Sequence, residues 1–298
     1  MKNLRRLCSV TMLTLIMFLS VARVSTSAAT VNVTREELKY FVAIKDTSIH
    51  RYHSVKIYLN KRYISTPAYL IMDTTYIPLR AVSEMAGATV SFDSVSRTAF
   101  VKMAGLDMSV SDGSFIIYAN GRPIASRTPS VILSDGRMYV PIRSVAKALS
   151  LEVSWLPSRE VMLSGTPIPL APASEFYDAD ELYWLSRIIS AEAQGEPLLG
   201  QIAVGNVVLN RVRSRDFPST IYGVIFDRKH GVQFSPIANG SIYKTPTYTA
   251  TVAAKICLEG FTVSEDILFF MEPTKSTSSW IANNRKYAFT IENHNFYY

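Results

Sequence analysis

The stretch Leu182-Tyr183-Trp184-Leu185-Ser186-Arg187-Ile188-Ile189-Ser190-Ala191-Glu192-Ala193-Gln194-Gly195-Glu196-Pro197 decides how the C-terminal part of this chain folds. At about 100° per residue, with Leu182 as zero, Leu185 falls near 300°, Ile188 near 240° and Ile189 near 340°, one apolar face of a helix. Glu192 falls near 280° on the same scale, in the middle of that face. Asp178 and Asp180 are candidate N-caps. A second helix is expected to start at Pro197 and run through Val207, Val208 and Leu209 to about Arg213.

A carboxylate on an apolar stripe loses solvation, which disfavours its charged form and raises its pKa, so it can hold a proton near neutral pH and donate it. General acid is one reading of Glu192. A buried glutamate satisfied by an arginine or by backbone donors is the other, and the helix alone does not separate them. Ala191 and Ala193 flank the carboxylate with minimal side chains, and Gly195 opens the backbone, so a bulky substrate could approach.

Working outward, Ser190-Ala191-Glu192-Ala193-Gln194-Gly195-Glu196-Pro197 is followed by Gly200-Gln201-Ile202-Ala203-Val204-Gly205-Asn206-Val207-Val208-Leu209-Asn210-Arg211, Pro218-Ser219-Thr220-Ile221-Tyr222-Gly223-Val224-Ile225, Gln233-Phe234-Ser235-Pro236, Thr277-Ser278-Ser279-Trp280-Ile281 and Ile291-Glu292-Asn293-His294-Asn295-Phe296. These blocks resemble the SleB-type (spore cortex-lytic) cell wall hydrolase family over residues 180–298. The resemblance implies a lysozyme-like α+β catalytic domain acting on peptidoglycan by lytic transglycosylation between N-acetylmuramic acid and N-acetylglucosamine. The family's acid in the Ala-Glu-Ala block falls on Glu192. A hydrolytic glycosidase usually needs a second carboxylate within about 5 to 9.5 Å. The sequence places none of Asp216, Asp227, Glu265, Asp266, Glu272 or Glu292 there, so a lytic transglycosylase is preferred. A hydrolytic muramidase and a non-catalytic wall-binding protein are the alternatives.

Six further residues are candidates for substrate contact. Glu196 either assists the acid or caps the second helix. Gln233 and Ser235 can hydrogen-bond sugar hydroxyls or acetamides, and Phe234 and Trp280 can offer flat faces to sugar rings, although aromatic residues more often pack in a core. His294 lies in an alternating run, Phe289 to Tyr297, that reads as a strand, where a structural histidine is favoured over a second catalytic group. No cofactor or metal is expected, since His50, His53, His230 and His294 are scattered and no phosphate-cradling glycine loop is present. No nucleic-acid partner is expected either.

In the middle of the chain Tyr76-Ile77-Pro78-Leu79-Arg80-Ala81-Val82 recurs 63 positions later as Tyr139-Val140-Pro141-Ile142-Arg143-Ser144-Val145, which indicates two copies of one small unit. Each copy reads as strands, a short helix opened by Pro78 or Pro141, and further strands. Arg80 and Arg143 could grip a ligand, but packing of their own unit is favoured. The blocks resemble the copper amine oxidase N-terminal-like stalk module over residues 45–165. This resemblance carries no oxidase chemistry, because the histidines of a copper site are lacking. The expected architecture is thus α+β, two small α/β stalk modules and then the catalytic domain. Residues 166–179, with Pro167, Pro169 and Pro172, read as a stiff linker between them.

The 48% apolar content of the 298 residues excludes a disordered chain. Lys2, Arg5 and Arg6 before the apolar run Leu7–Val21 and the small residues near Ala28 read as a secretory signal peptide, residues 1–28. Cys8 would leave with it, so Cys257 would have no disulfide partner. The mature protein is expected to be secreted to the wall or spore envelope, with no stable membrane span. The formal charge of the chain is +7. Without the signal it falls to about +3, while residues 175–298 carry 11 basic and 13 acidic residues. The positive excess therefore lies in the middle region and suits anionic wall polymers.

Overall fold

The computed structural model describes residues 44, 46–229, 234–276 and 279–298. The expected signal peptide and Gln233 lie outside the described residues. All described residues belong to one compact unit.

The strand-rich body contains β1 (His53–Leu59), β2 (Arg62–Ile71), β3 (Thr74–Pro78), α1 (Leu79–Met85), β4 (Thr89–Asp93), β5 (Thr98–Met103), β6 (Leu106–Ser111) and β7 (Ile116–Ala119). It continues through β8 (Arg122–Ala125), β9 (Val131–Ile132), β10 (Met138–Pro141), α2 (Ile142–Ala148), β11 (Glu152–Trp155) and β12 (Val161–Ser164). The sequence repeat is real, but its copies are not separate modules. One seven-stranded sheet runs β11-β12-β1-β2-β3-β10-β9 and so draws on both copies, while β4 to β8 form a five-stranded meander. The repeated motif pairs with itself, antiparallel: Tyr76 opposite Pro141, Ile77 opposite Val140, Pro78 opposite Tyr139. Short strands of four or five residues do not stand alone in water, and each copy completes the other's sheet. Ile57, Ile77, Val82, Val101, Met108, Val140, Val145 and Leu163 have no exposed surface and form the shared core. Pro78 and Pro141 both serve as N-caps, where a missing N–H does no harm, as the sequence suggested.

The stretch expected to be a stiff linker is strapped to this body. Ile168 N–H donates to Leu149 O (3.0 Å), Leu170 N–H to Ala148 O (3.3 Å), and Ala173 N–H to Asn120 O (3.0 Å). Asn120 Nδ2 returns a bond to Leu170 O at 2.7 Å. The prolines remove donors, and the residues between them supply the bonds. The stretch then turns into the short α3 (Ala173–Phe176).

The helical domain follows as α4 (Ala179–Ala193), α5 (Leu198–Arg213), α6 (Ile221–Ile225), α7 (Ser235–Asn239), α8 (Tyr248–Leu258), β13 (Phe269–Met271), α9 (Trp280–Asn284), β14 (Tyr287–Ile291) and β15 (His294–Tyr297). Helices α4, α5 and α8 pack on one another around Ile188, Ile189, Ile202, Val207 and Ile256, all without exposed surface. The terminal run expected as one strand is a hairpin. Glu292, at φ 44°, turns the chain between β14 and β15, and the small sheet is ordered β13-β15-β14. The mixed helices and strands make the molecule α+β. Among the described residues no helix is long and apolar enough to cross a membrane.

Candidate active site

Asp178 caps α4, its side chain accepting from the N–H groups of Asp180 (3.0 Å) and Glu181 (2.9 Å). The helix then buries Leu185, Ile188, Ile189 and Ala193. Glu192 is half-buried on the last turn, and burial raises its carboxyl to about 7. Among the described residues no charged neighbour contributes to that shift, and in particular no second carboxylate. At neutral pH a large fraction of Glu192 therefore carries the proton, the state a general acid needs.

The backbone around Glu192 is held by tight packing rather than by bonds to the carboxylate. Gly205 of α5 lies where α4 and α8 converge, and a Cβ added there would stand 2.8 Å from Ile189 Cδ1 and 2.7 Å from Cys257 Sγ. Ser190 Oγ accepts from the N–H of Thr247 (3.1 Å), whose own side chain caps α8 through Ala250 N–H. One face of α5 secures the loop after α8. Asn206 Nδ2 donates to Phe261 O (3.1 Å), its Oδ1 accepts from Val263 N–H (2.8 Å), and Asn210 Nδ2 reaches Ser264 O and Ile267 O. Arg211 Nε donates to Leu268 O at 2.8 Å, and burial pulls its guanidinium down to about 10. The polar residues of the Asn206 to Arg211 block are thus structural.

Glu196 lies beyond the end of α4 with a side chain only 5% exposed. It does not cap α5, whose N-cap is Pro197. Its carboxylate accepts from Asn293 Nδ2 at 2.9 Å and from Asn293 N–H at 3.3 Å, and His294 Nδ1 stands 3.4 Å from Oε1. The clasp joins the helix end to the β14–β15 turn, 97 positions away. His294 is itself buried, its ring edge-on to Phe270 at 5.4 Å.

The other candidates are dispersed. Phe234 is 2% exposed and lies near the Arg211 guanidinium and Phe270, so its ring presents no face to a sugar. Ser235 opens α7 at the surface, and α7 packs on α4. Trp280 is 52% exposed and has the Arg285 guanidinium over it at 5.2 Å.

An aromatic group that the sequence reading passed over stands on α4. Trp184 meets Tyr183, Tyr222 and Phe226 edge-on with centroids 4.9 to 5.3 Å apart, and Tyr183, Tyr222 and Tyr243 expose their rings. Trp184 precedes Glu192 by eight residues, about 12 Å along the helix. That spacing is visible in the sequence, but the partners that come from α6 and from the turn before α8 are not. Among the described residues no cluster of three or more His, Cys, Asp or Glu side chains could hold a metal ion. Cys257 is a free thiol whose pKa burial pushes well up.

These features define a two-part protein: a strand-rich body built from an internal repeat, and a helical domain carrying a carboxyl, Glu192, that burial raises to about 7. Residues 195–297 match the Cell Wall Hydrolase family, and residues 58–163 match the copper amine oxidase N-terminal domain. The first match starts three positions after Glu192. A spore cortex-lytic enzyme of Bacillus cereus is 38% identical over 105 residues, 35% of this chain and 39% of the relative. That of Bacillus subtilis is 36% identical over 105 residues, 35% of this chain and 33% of the relative. This chain thus spans well under half the length of these curated relatives. The catalytic domain of a germination-specific lytic transglycosylase from Bacillus anthracis is 35% identical, with 43% of this chain and 100% of that one covered and a TM-score of 0.38.

Proposed function

We propose that the chain is a secreted enzyme that cleaves the glycan backbone of peptidoglycan, in cell wall or spore cortex, as a lytic transglycosylase with Glu192 as its single acid and base. The observation that carries this reading is the Glu192 carboxyl, raised to about 7 by burial with no second carboxylate among the described residues acting on it. The relatives named for spore cortex lysis and lytic transglycosylation support the choice of substrate.

In the first step Glu192 gives its proton to the glycosidic oxygen as the bond from that oxygen to muramic acid C1 breaks. The resulting carboxylate takes the proton of the muramic acid C6 hydroxyl while that oxygen bonds to C1. The products are a 1,6-anhydro sugar end and a free hydroxyl on the leaving sugar, and Glu192 is again protonated. No water is consumed, so one carboxyl suffices. Tyr243, the most exposed ring of the aromatic group on α4, offers a face to a neighbouring sugar, whereas the Tyr183 ring is covered by the Arg187 guanidinium at 3.5 Å and Tyr222 packs on Phe226 at 4.5 Å.

The test is mass analysis of the fragments released from purified peptidoglycan. Anhydro-muramic ends that vanish in Glu192→Gln are expected. Ordinary reducing ends would make the enzyme a hydrolase, and cleavage in the stem peptide would refute the reading.

A further inference from the structure

The sequence repeat creates the same groove twice, and the copies differ in charge. In the first copy Arg80, Glu84, Val90 and Phe92 line a groove of about 440 Å³; 63 positions on, Arg143, Lys147, Val153 and Trp155 line one of about 480 Å³. The first groove neutralises its own cations. Arg80 Nη1 donates to Glu84 Oε1 (3.2 Å) and Val90 O (2.6 Å), and Arg137 donates to Asp135 at 2.8 Å.

In the second groove Lys147 replaces the glutamate, and its Nζ turns to Glu259, 2.6 Å from the backbone oxygen and 2.7 Å from Oε2. Arg143 is left exposed, with no hydrogen bond or ion pair to any described residue. Arg127 lines the same groove, with one N–H on Thr262 O at 3.2 Å. Of the acids lining the groove, Glu259 is already held by Arg122 and Lys147, which leaves Asp73 on the rim. Trp155, on the edge strand of the sheet, is 50% exposed. The residues from Glu259 to Thr262 close one wall, so the groove runs along the join between the body and the helical domain.

We propose that this second groove is a binding site for a strand of peptidoglycan, a sugar polymer whose stem peptides carry carboxylates, separate from Glu192. The two guanidiniums offer the planar fork that carboxylates take in pairs. The indole face suits a sugar ring, which selects a polymer of pyranoses over a chain of phosphate and open polyols. The naming of peptidoglycan rests on the function proposed above. The site makes the body a second handhold, fixed to the helical domain, that keeps the strand near the acid after each cut.

The test measures sedimentation of the full chain, in a Glu192→Gln background, with wall sacculi stripped of teichoic acid. Arg143→Gln combined with Trp155→Ala should weaken binding about tenfold, the worth of one charge-assisted contact or more. The matching first-copy pair, Arg80→Gln with Phe92→Ala, should leave it unchanged. Undiminished binding by the second-copy variant, equal losses in both, or binding only to walls that retain teichoic acid would overturn the proposal. Arg143→Gln alone carries the test should Trp155→Ala fail to fold, because Arg143 is exposed and supports no described neighbour. Binding is read without turnover, so it fails or succeeds independently of the products released by the Glu192 enzyme.

Discussion

Glu192 combines two properties that pull in opposite directions. Its carboxyl titrates at about 7 in the folded chain against about 4.5 when exposed, so the folded state binds the proton more tightly. That favours folding below about pH 4.5, and the advantage is lost as pH rises through about 7. Glu192→Gln should therefore raise stability at pH 8 by up to about 3 kcal/mol, the size of a shift of that extent, and change it little at pH 4. Denaturant melts at the two pH values will measure this. The same substitution should lower turnover about 10²- to 10⁴-fold, the usual contribution of a general acid. In the unaltered enzyme the rate should fall as pH rises above about 7, since only the protonated carboxyl can start the reaction. Glu196, four positions on, works differently. Glu196→Ala leaves Asn293 Nδ2 without its 2.9 Å partner and should destabilise the fold by about 1 to 3 kcal/mol at neutral pH.

Between elements, the crossing at Gly205 decides how close α4, α5 and α8 stand. Gly205→Ala would place a methyl within 2.7 to 2.8 Å of Cys257 Sγ and Ile189 Cδ1, and overpacking of this kind costs about 1 to 3 kcal/mol. Thermal melts should show that loss, and Glu192, one turn beyond Ile189, should lose activity with it. Much at this scale was legible beforehand. The helix bearing Glu192 ends where Gly195 and Pro197 indicate, and the second helix stops at Arg213. The run from Phe289 to Tyr297 was misread as one strand because its alternation continues through the turn. Only the positive φ of Glu292 breaks it, and glutamate carries no signal for that conformation.

Across the whole molecule, one buried cluster joins the two parts. Arg122 donates to Glu259 at 2.7 and 2.9 Å, Tyr177 donates to the same carboxylate at 2.7 Å, and the Arg122 guanidinium lies over Phe176 at 3.3 Å. Burial pushes the Glu259 carboxyl up, but the bonds from Arg122, Lys147 and Tyr177 outweigh it and hold the group below the usual carboxylate range. Removal of one partner strands a charge in the interior, at about 3 to 5 kcal/mol. Scanning calorimetry should accordingly show one transition for the unaltered chain and two for Arg122→Ala. A single transition retained at a lower temperature would mean that apolar contacts alone couple the parts.

Local periodicity determined the apolar stripe under Glu192, the caps and breaks of its helix, and the existence of a repeated unit. The stripe, caps and breaks depend on neighbours within a few residues, and the repeat on a direct match of residues 63 positions apart, both of which the sequence states directly. Tertiary structure alone decided what lies far apart in the chain: the pairing of Tyr76 with Pro141 that merges the two copies, the Glu196 clasp on Asn293, and the Arg122–Glu259 join. Each depends on which surfaces meet once the chain has collapsed. Neither the composition nor the spacing of Glu196 distinguishes a carboxylate that will be buried against an asparagine from one left in water.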